Sequence, residues 1–190
     1  MEALEAILTR PTVPPVKMMG PGPDAPTLER VLRAAAAAPD HGKLVPYRVL
    51  VVRGDARQKL GELFAEAVRR QRPDALAEMA KQREAPLRAP LILVLGAHID
   101  RQHPKVPVVE QIACTAAAGQ NILLAAHALG FAAKWATGTN AYDPYIREGL
   151  GMRHEDAIVG FIYIGHYAVP HDPSARPDLG AFVREWVGPG

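Results

Sequence analysis

Residues Glu110 to Gly138, EQIACTAAAGQNILLAAHALGFAAKWATG, constrain this chain more than any other stretch. Up to about Leu129 the run is almost free of charge and rich in Ala, Gly, Ile and Leu. It is too long for a strand and has no excess of β-branched residues, so it predicts a helix of about 20 residues and about 30 Å. A helix that is apolar nearly all round is a buried one. Small residues at Ala113, Ala116, Ala117, Gly119, Ala125 and Ala126 let other backbones come close. Gly130 is a helix-ending residue, Phe131 to Thr137 predicts a short buried strand, and Thr137-Gly138 a polar turn. These residues alone leave two readings open. One is a core helix with a loop after it; the other is a helix that delivers backbone to a site at that turn.

With 190 residues, 48% of them hydrophobic, the expectation is one domain, residues 1–190. The net charge is only +2 and aromatics make up 6%. A nucleic-acid binder needs a basic face, commonly with stacking aromatics, so none is expected. The single cysteine, Cys114, falls in the buried helix and excludes an internal disulfide framework. No apolar run reaches the length of a membrane span. The first residues, MEALEAILTR, read as an amphipathic helix with two glutamates rather than a signal segment. The expectation is therefore cytoplasmic. His98, Asp100 and His103 lack the spacing of a known metal motif, so no metal is expected.

In chain order, a helix over Glu2 to Thr9 is stopped by Pro11. Arg10-Pro11-Thr12 then sets a cation and a hydroxyl at a helix exit, a pair that can hold phosphate or simply cap the helix. Thr27 is expected to cap a second helix that runs to Ala38. The turn Pro39-Asp40-His41-Gly42 aims His41 either at a ligand or back at Asp40. Strands are expected at Pro46 to Val52, Leu91 to Ala97 and Ala157 to Gly165. Asp55 is expected to cap a helix to Arg70, a charged helix follows to Arg83, and Asp143-Pro144 starts a short one. The Pro-rich tail carries Phe182 and Trp186, which need a surface on this chain or on a second one. Two helices before the first strand favour a mixed α+β fold over a dinucleotide-binding fold.

Taken in order, ALEAILTR, AAPDH with PYRVLVV, RAPLILVL, HPKVPVVEQ, GFAAKW and IVGFIYIG resemble the nitroreductase superfamily of flavin proteins. The resemblance covers nearly the whole chain and is closest to the short single-domain branch. It implies an α+β sandwich with a central, mostly antiparallel sheet flanked by helices. It also implies a homodimer with the long buried helix at the interface and FMN between subunits. The implied activity is hydride transfer from NADH or NADPH through flavin N5 to a small electron-poor acceptor, such as a nitroaromatic or a quinone. A flavin-binding dimer without turnover is the alternative. Catalytic side chains are not expected, since the chemistry is the flavin's. By the same resemblance, Arg10, Pro11 and Thr12 match the phosphate-gripping segment, and His41 the histidine beside the flavin. Trp135, Ala136, Thr137 and Gly138 match the strand end that borders it. Pro11 stands where relatives carry a second arginine, Val13-Pro14-Pro15 adds no cation, Ala37 replaces an arginine and Val45 a glutamine. The cations left to compensate are Lys43, Lys105 and Lys134.

Overall fold

Strand residues Leu91 to Ala97 carry side chains that are buried at every position, as a strand covered on both faces requires. In this computed structural model, which describes residues 1–167, 173 and 175–189, that strand is the third of five. The elements are α1 (Ala3–Thr9), β1 (Met18–Met19), α2 (Ala25–Ala35), β2 (Tyr47–Arg53), α3 (Ala56–Gln71) and α4 (Leu76–Glu84). They continue with β3 (Leu91–Ala97), α5 (Val108–Ala128), β4 (Ala132–Ala136), α6 (Pro144–Gly149) and β5 (Ala157–Tyr167). The sheet runs β1-β5-β3-β2, with β4 also paired to β5. All its pairings are antiparallel.

Period-two alternation divides the core. Ile92 and Val94 of β3 and Phe161 and Tyr163 of β5 meet Leu60 and Phe64 of α3 and Ile146 of α6. Leu93, Leu95, Ile162 and Ile164 face the other way, onto Val31 of α2 and Ala118 and Ile122 of α5. Each such fully buried aliphatic side chain contributes about 1.5–3 kcal/mol. The result is a two-faced α+β sandwich, as expected.

Local departures from expectation have local causes. Asp24, not Thr27, caps α2: its carboxylate accepts the Thr27 amide at 2.9 Å, so the helix starts earlier and ends at Ala35. Asp55 precedes α3 but its side chain makes no cap bond; the reversal is made by Gly54 at φ +58°. Asp143 does cap α6, accepting from the Tyr145 and Ile146 amides. The two-residue strand β1 falls inside what reads as a featureless proline loop.

The long helix departs most usefully. One face is buried, through Gln111, Cys114, Ala118, Ile122 and Ala126, but Val109 is 70% and Ile112 37% exposed. The all-round burial expected of it is therefore incomplete within one chain. In the tail, Trp186 is 82% exposed and finds no cover among the described residues; residues 168–172 and 174 of the Pro-rich tail lie outside them.

Candidate functional site

Two regions carry the expected site residues, and they sit at opposite ends of α5. At its C-terminal end, Arg10 is the C-cap of α1. Thr9 Oγ1 donates to Glu5 O at 2.6 Å and, with its proton so used, accepts from His127 Nε2 at 3.0 Å. That chain ties α1 to the last turn of α5. The Val13 amide donates to Ala133 O, which lays Pro11 and Thr12 beside β4. Pro11 is buried and Thr12 exposed.

Arg10 itself is half-buried, and its Nε is a buried donor with no partner. Among the described residues its one side-chain bond is long, Nη1 to Pro11 O at 3.4 Å. Leaving such a donor unpaired costs about 1–3 kcal/mol, more when the group is charged. A second guanidinium stands beside it: Arg176 Nη2 donates to Arg10 O at 2.9 Å and to Leu8 O at 3.5 Å. Burial lowers the Arg10 pKa, and repulsion from Arg176 lowers it further. Burial also lowers the His127 pKa, again with help from Arg10. Among the described residues neither arginine has a carboxylate partner. Two guanidiniums and an orphaned donor, with no carboxylate paired to either arginine among the described residues, have the chemistry to bind an anion.

Arg176 was not anticipated. Its partner Arg10 is 166 residues upstream, and no local pattern links them. The lysines proposed to compensate do not reach this point. Lys43, in the 3-10 turn His41–Lys43, and Lys105, in the loop before α5, lie at the far end of that helix. Lys134 alternates with Trp135 along β4, so it faces away from that helix.

The Trp135 ring is turned into the core rather than toward a ligand. The β3–β5 register slips between Leu95 and Gly96, leaving Val159 out of the ladder. Trp135 Nε1 donates to the Val159 carbonyl at 3.1 Å, satisfying the acceptor that the bulge frees. Gly119 and Gly160 make room for the indole: a Cβ on Gly160 would lie 2.0 Å from Nε1, and one on Gly119 2.6 Å from the ring. With Nε1 engaged inside the fold, the partly buried Trp135 offers a site no side-chain donor, only backbone and the exposed part of its ring. Beyond Ala136 the chain surfaces at Thr137 and Gly138, both exposed. Gly138 adopts φ +60° with open space where a Cβ would be, so this backbone is approachable.

His41 belongs to the other region. Its Nδ1 donates to Glu110 Oε2 at 2.6 Å, in the first turn of α5. Asp40, the alternative partner, is occupied elsewhere: Oδ1 accepts the Leu44 amide at 3.1 Å and Oδ2 the Val45 amide at 2.7 Å. Gly42, Lys43 and Val45 have φ of +71°, +55° and +52°. For a β-branched residue before a proline this is strain of about 1–3 kcal/mol. Glu110 and His127 are separated by about 26 Å along the helix. One chain therefore brings Arg10, Pro11, Thr12 and β4 together and leaves His41 at a distance.

His98 and His103 have structural partners. His98 lies 3.5 Å from Asp156, and His103 Nδ1 accepts the Val106 amide at 2.9 Å.

The sequence model of the Nitroreductase family matches residues 20–166. The chain is 34% identical over 184 residues to "Putative NAD(P)H nitroreductase YdjA" of Escherichia coli strain K12, covering 96% of this chain and 98% of that one. A Haemophilus influenzae protein with the same description, without the YdjA, is 34% identical over 165 residues, 87% and 88% of the two chains. Among solved structures, a nitroreductase-like family protein from Bacillus cereus superposes with a TM-score of 0.81 at 23% identity, covering 99% and 97%. A Desulfovibrio desulfuricans structure solved in complex with FMN gives 0.74 at 23% identity, covering 100% and 99%. The structural likenesses carry the fold; the family match over most of the chain and the two relatives carry the kinship. This chain belongs to the nitroreductase family.

Proposed function

We propose that the chain is an FMN-dependent oxidoreductase that works as a homodimer, passing a hydride from NADH or NADPH to a small electron-poor acceptor such as a nitroaromatic or a quinone. Family membership, relatives named for NAD(P)H and a similar fold in complex with FMN support this reading. The observation that carries it is the unpaired, buried Arg10 Nε beside Arg176. A phosphate dianion is the ligand those groups fit: it accepts several charge-assisted bonds and relieves the repulsion between the two cations.

Bound FMN would supply a centre that accepts and donates hydride. The chain's part is to bind, orient and exclude. Arg10, Arg176 and the Thr12 hydroxyl would hold the phosphate. The backbone of Trp135 to Gly138 would border the ring, with Gly138 permitting close approach. His41 would come from a second copy, since its own chain holds it about 26 Å of helix away from Arg10. The exposed apolar residues Val109 and Ile112 on α5, and Trp186 in the tail, are surfaces such a copy would cover. A two-fold arrangement makes two equal sites, each with Arg10 from one chain and His41 from the other.

The test is direct. The purified protein is expected to be yellow, to release FMN on denaturation, and to bleach when mixed with NADH or NADPH without oxygen. A yellow protein that neither nucleotide bleaches is a flavin-binding dimer without turnover. A colourless one that stays colourless with added FMN ends the flavin reading.

A further inference from the structure

We infer that Asp40 is a positioning residue of this site, acting on the bound flavin through His41. The inference rests on the reading of the site as an FMN site completed by His41 of a second copy.

Three of the four residues from Gly42 to Val45 have a left-handed backbone, and only the first is glycine. A lysine and a valine there do not hold that shape unaided. What holds it is a set of charged groups. The Asp40 carboxylate takes two amides, one on each oxygen. The Arg48 guanidinium holds the Val45 carbonyl from the other side at 2.6 Å. Burial, and then the charge of Asp40, raises the pKa of the Cys114 thiol on α5, so that thiol stays neutral beside the turn. Bonds to an ionised group are about twice as strong as neutral ones, so the clasp can outweigh the strain.

The arrangement also settles what His41 can do. With both Asp40 oxygens committed to the turn, the imidazole pairs with Glu110 through Nδ1. Among the described residues Nε2 has no partner, and it is left free for a ligand. A strained turn fixed by a carboxylate, with an imidazole pinned on one nitrogen and open on the other, is a way to present that nitrogen at one place. Asparagine at position 40 has a single acceptor oxygen and would set its NH2 against a backbone N–H. The turn then relaxes and Nε2 moves.

The experiment is a double-mutant cycle on FMN affinity with a backbone rescue. Asp40→Asn is expected to weaken FMN about tenfold when His41 is present and less than about twofold in a His41→Ala background. Its visible circular dichroism should shift toward that of His41→Ala. Val45→Gly, which takes φ +52° without strain, is expected to bring Asp40→Asn back to within about threefold of wild type. Should Asp40→Asn fail to fold, Asp40→Glu keeps the charge one methylene farther out and is expected to lose about threefold, again only with His41 present. Equal losses in both backgrounds, or no recovery with Val45→Gly, overturn the inference and leave the FMN reading standing. Wild-type protein that binds no FMN overturns both.

Discussion

The two ends of α5 present opposite kinds of unfinished business. At the Arg10 end the backbone is ordinary and the electrostatics are not: two guanidiniums and a neutral histidine crowd together, and a buried donor has no acceptor. At the His41 end His41, Glu110 and Asp40 all have partners, and the backbone is what is strained. The first kind of region gains from receiving an anion. The second has already spent its interactions on holding a shape, which suits a part delivered to another molecule. The proposed site, divided between two copies, would carry one signature on the half that receives the anion and another on the half that is presented to it.

The largest effect is expected at Arg10. Arg10→Ala is expected to weaken FMN about 100-fold, near 3 kcal/mol for charge-assisted bonds in a half-buried place. Riboflavin, which lacks the phosphate, should bind the variant and the wild type alike. Equal losses for both flavins would move the phosphate away from Arg10.

Between the two ends lies the bulge that Trp135 satisfies. Gly160→Ala would drive a Cβ into the indole nitrogen, and overpacking of this kind costs about 1–3 kcal/mol. A lowered urea midpoint would show it, accompanied by weaker FMN because the backbone from Trp135 to Gly138 shifts. A midpoint unchanged from wild type would mean that the indole is not held as described.

Arg176→Ala removes the second cation and is expected to weaken FMN about tenfold, again with riboflavin unaffected. An equal effect on both flavins would make Arg176 a tether for the tail rather than a phosphate ligand.

The smallest expected effect is on acid stability. The folded-state pKa of His127 lies below its ordinary value of 6.5. Its contribution is therefore complete above about pH 6.5 and lost as pH falls through the lowered value. The urea midpoint of wild type should drop across that window more than that of His127→Gln. FMN should blunt the drop, because a phosphate beside Arg10 offsets the repulsion. Parallel pH curves for the two proteins would remove His127 from the Arg10 cluster.

Most of the fold can be read from residues alone because its signals are local. β3 announces itself by an unbroken apolar run, α6 by Asp143-Pro144, and β4 by Phe131 to Ala136 after Gly130. Boundaries slipped where two residues compete for one role, as Asp24 and Thr27 do at the start of α2. The surface that two copies would share is legible only indirectly: α5 is apolar all round in sequence, yet one chain covers just one face of it. In the site, Arg10-Pro11-Thr12 and Trp135 to Gly138 are legible through resemblance, but the resemblance does not say that the Trp135 ring faces inward. Glu110 could have been anticipated as the partner of His41, being the acid in the first turn of the long helix. Arg176 could not, since nothing in a sequence joins a tail to a helix end far upstream.

In the proposed dimer each flavin lies between Arg10 of one chain and His41 of the other. Arg10→Ala and His41→Ala chains, tagged differently and co-purified as a mixed dimer, test it. A shared site predicts one intact position: close to one FMN per mixed dimer, at a concentration where neither mutant dimer keeps any. A mixed dimer as empty as its parents would place both residues in the same chain's site and contradict the claim.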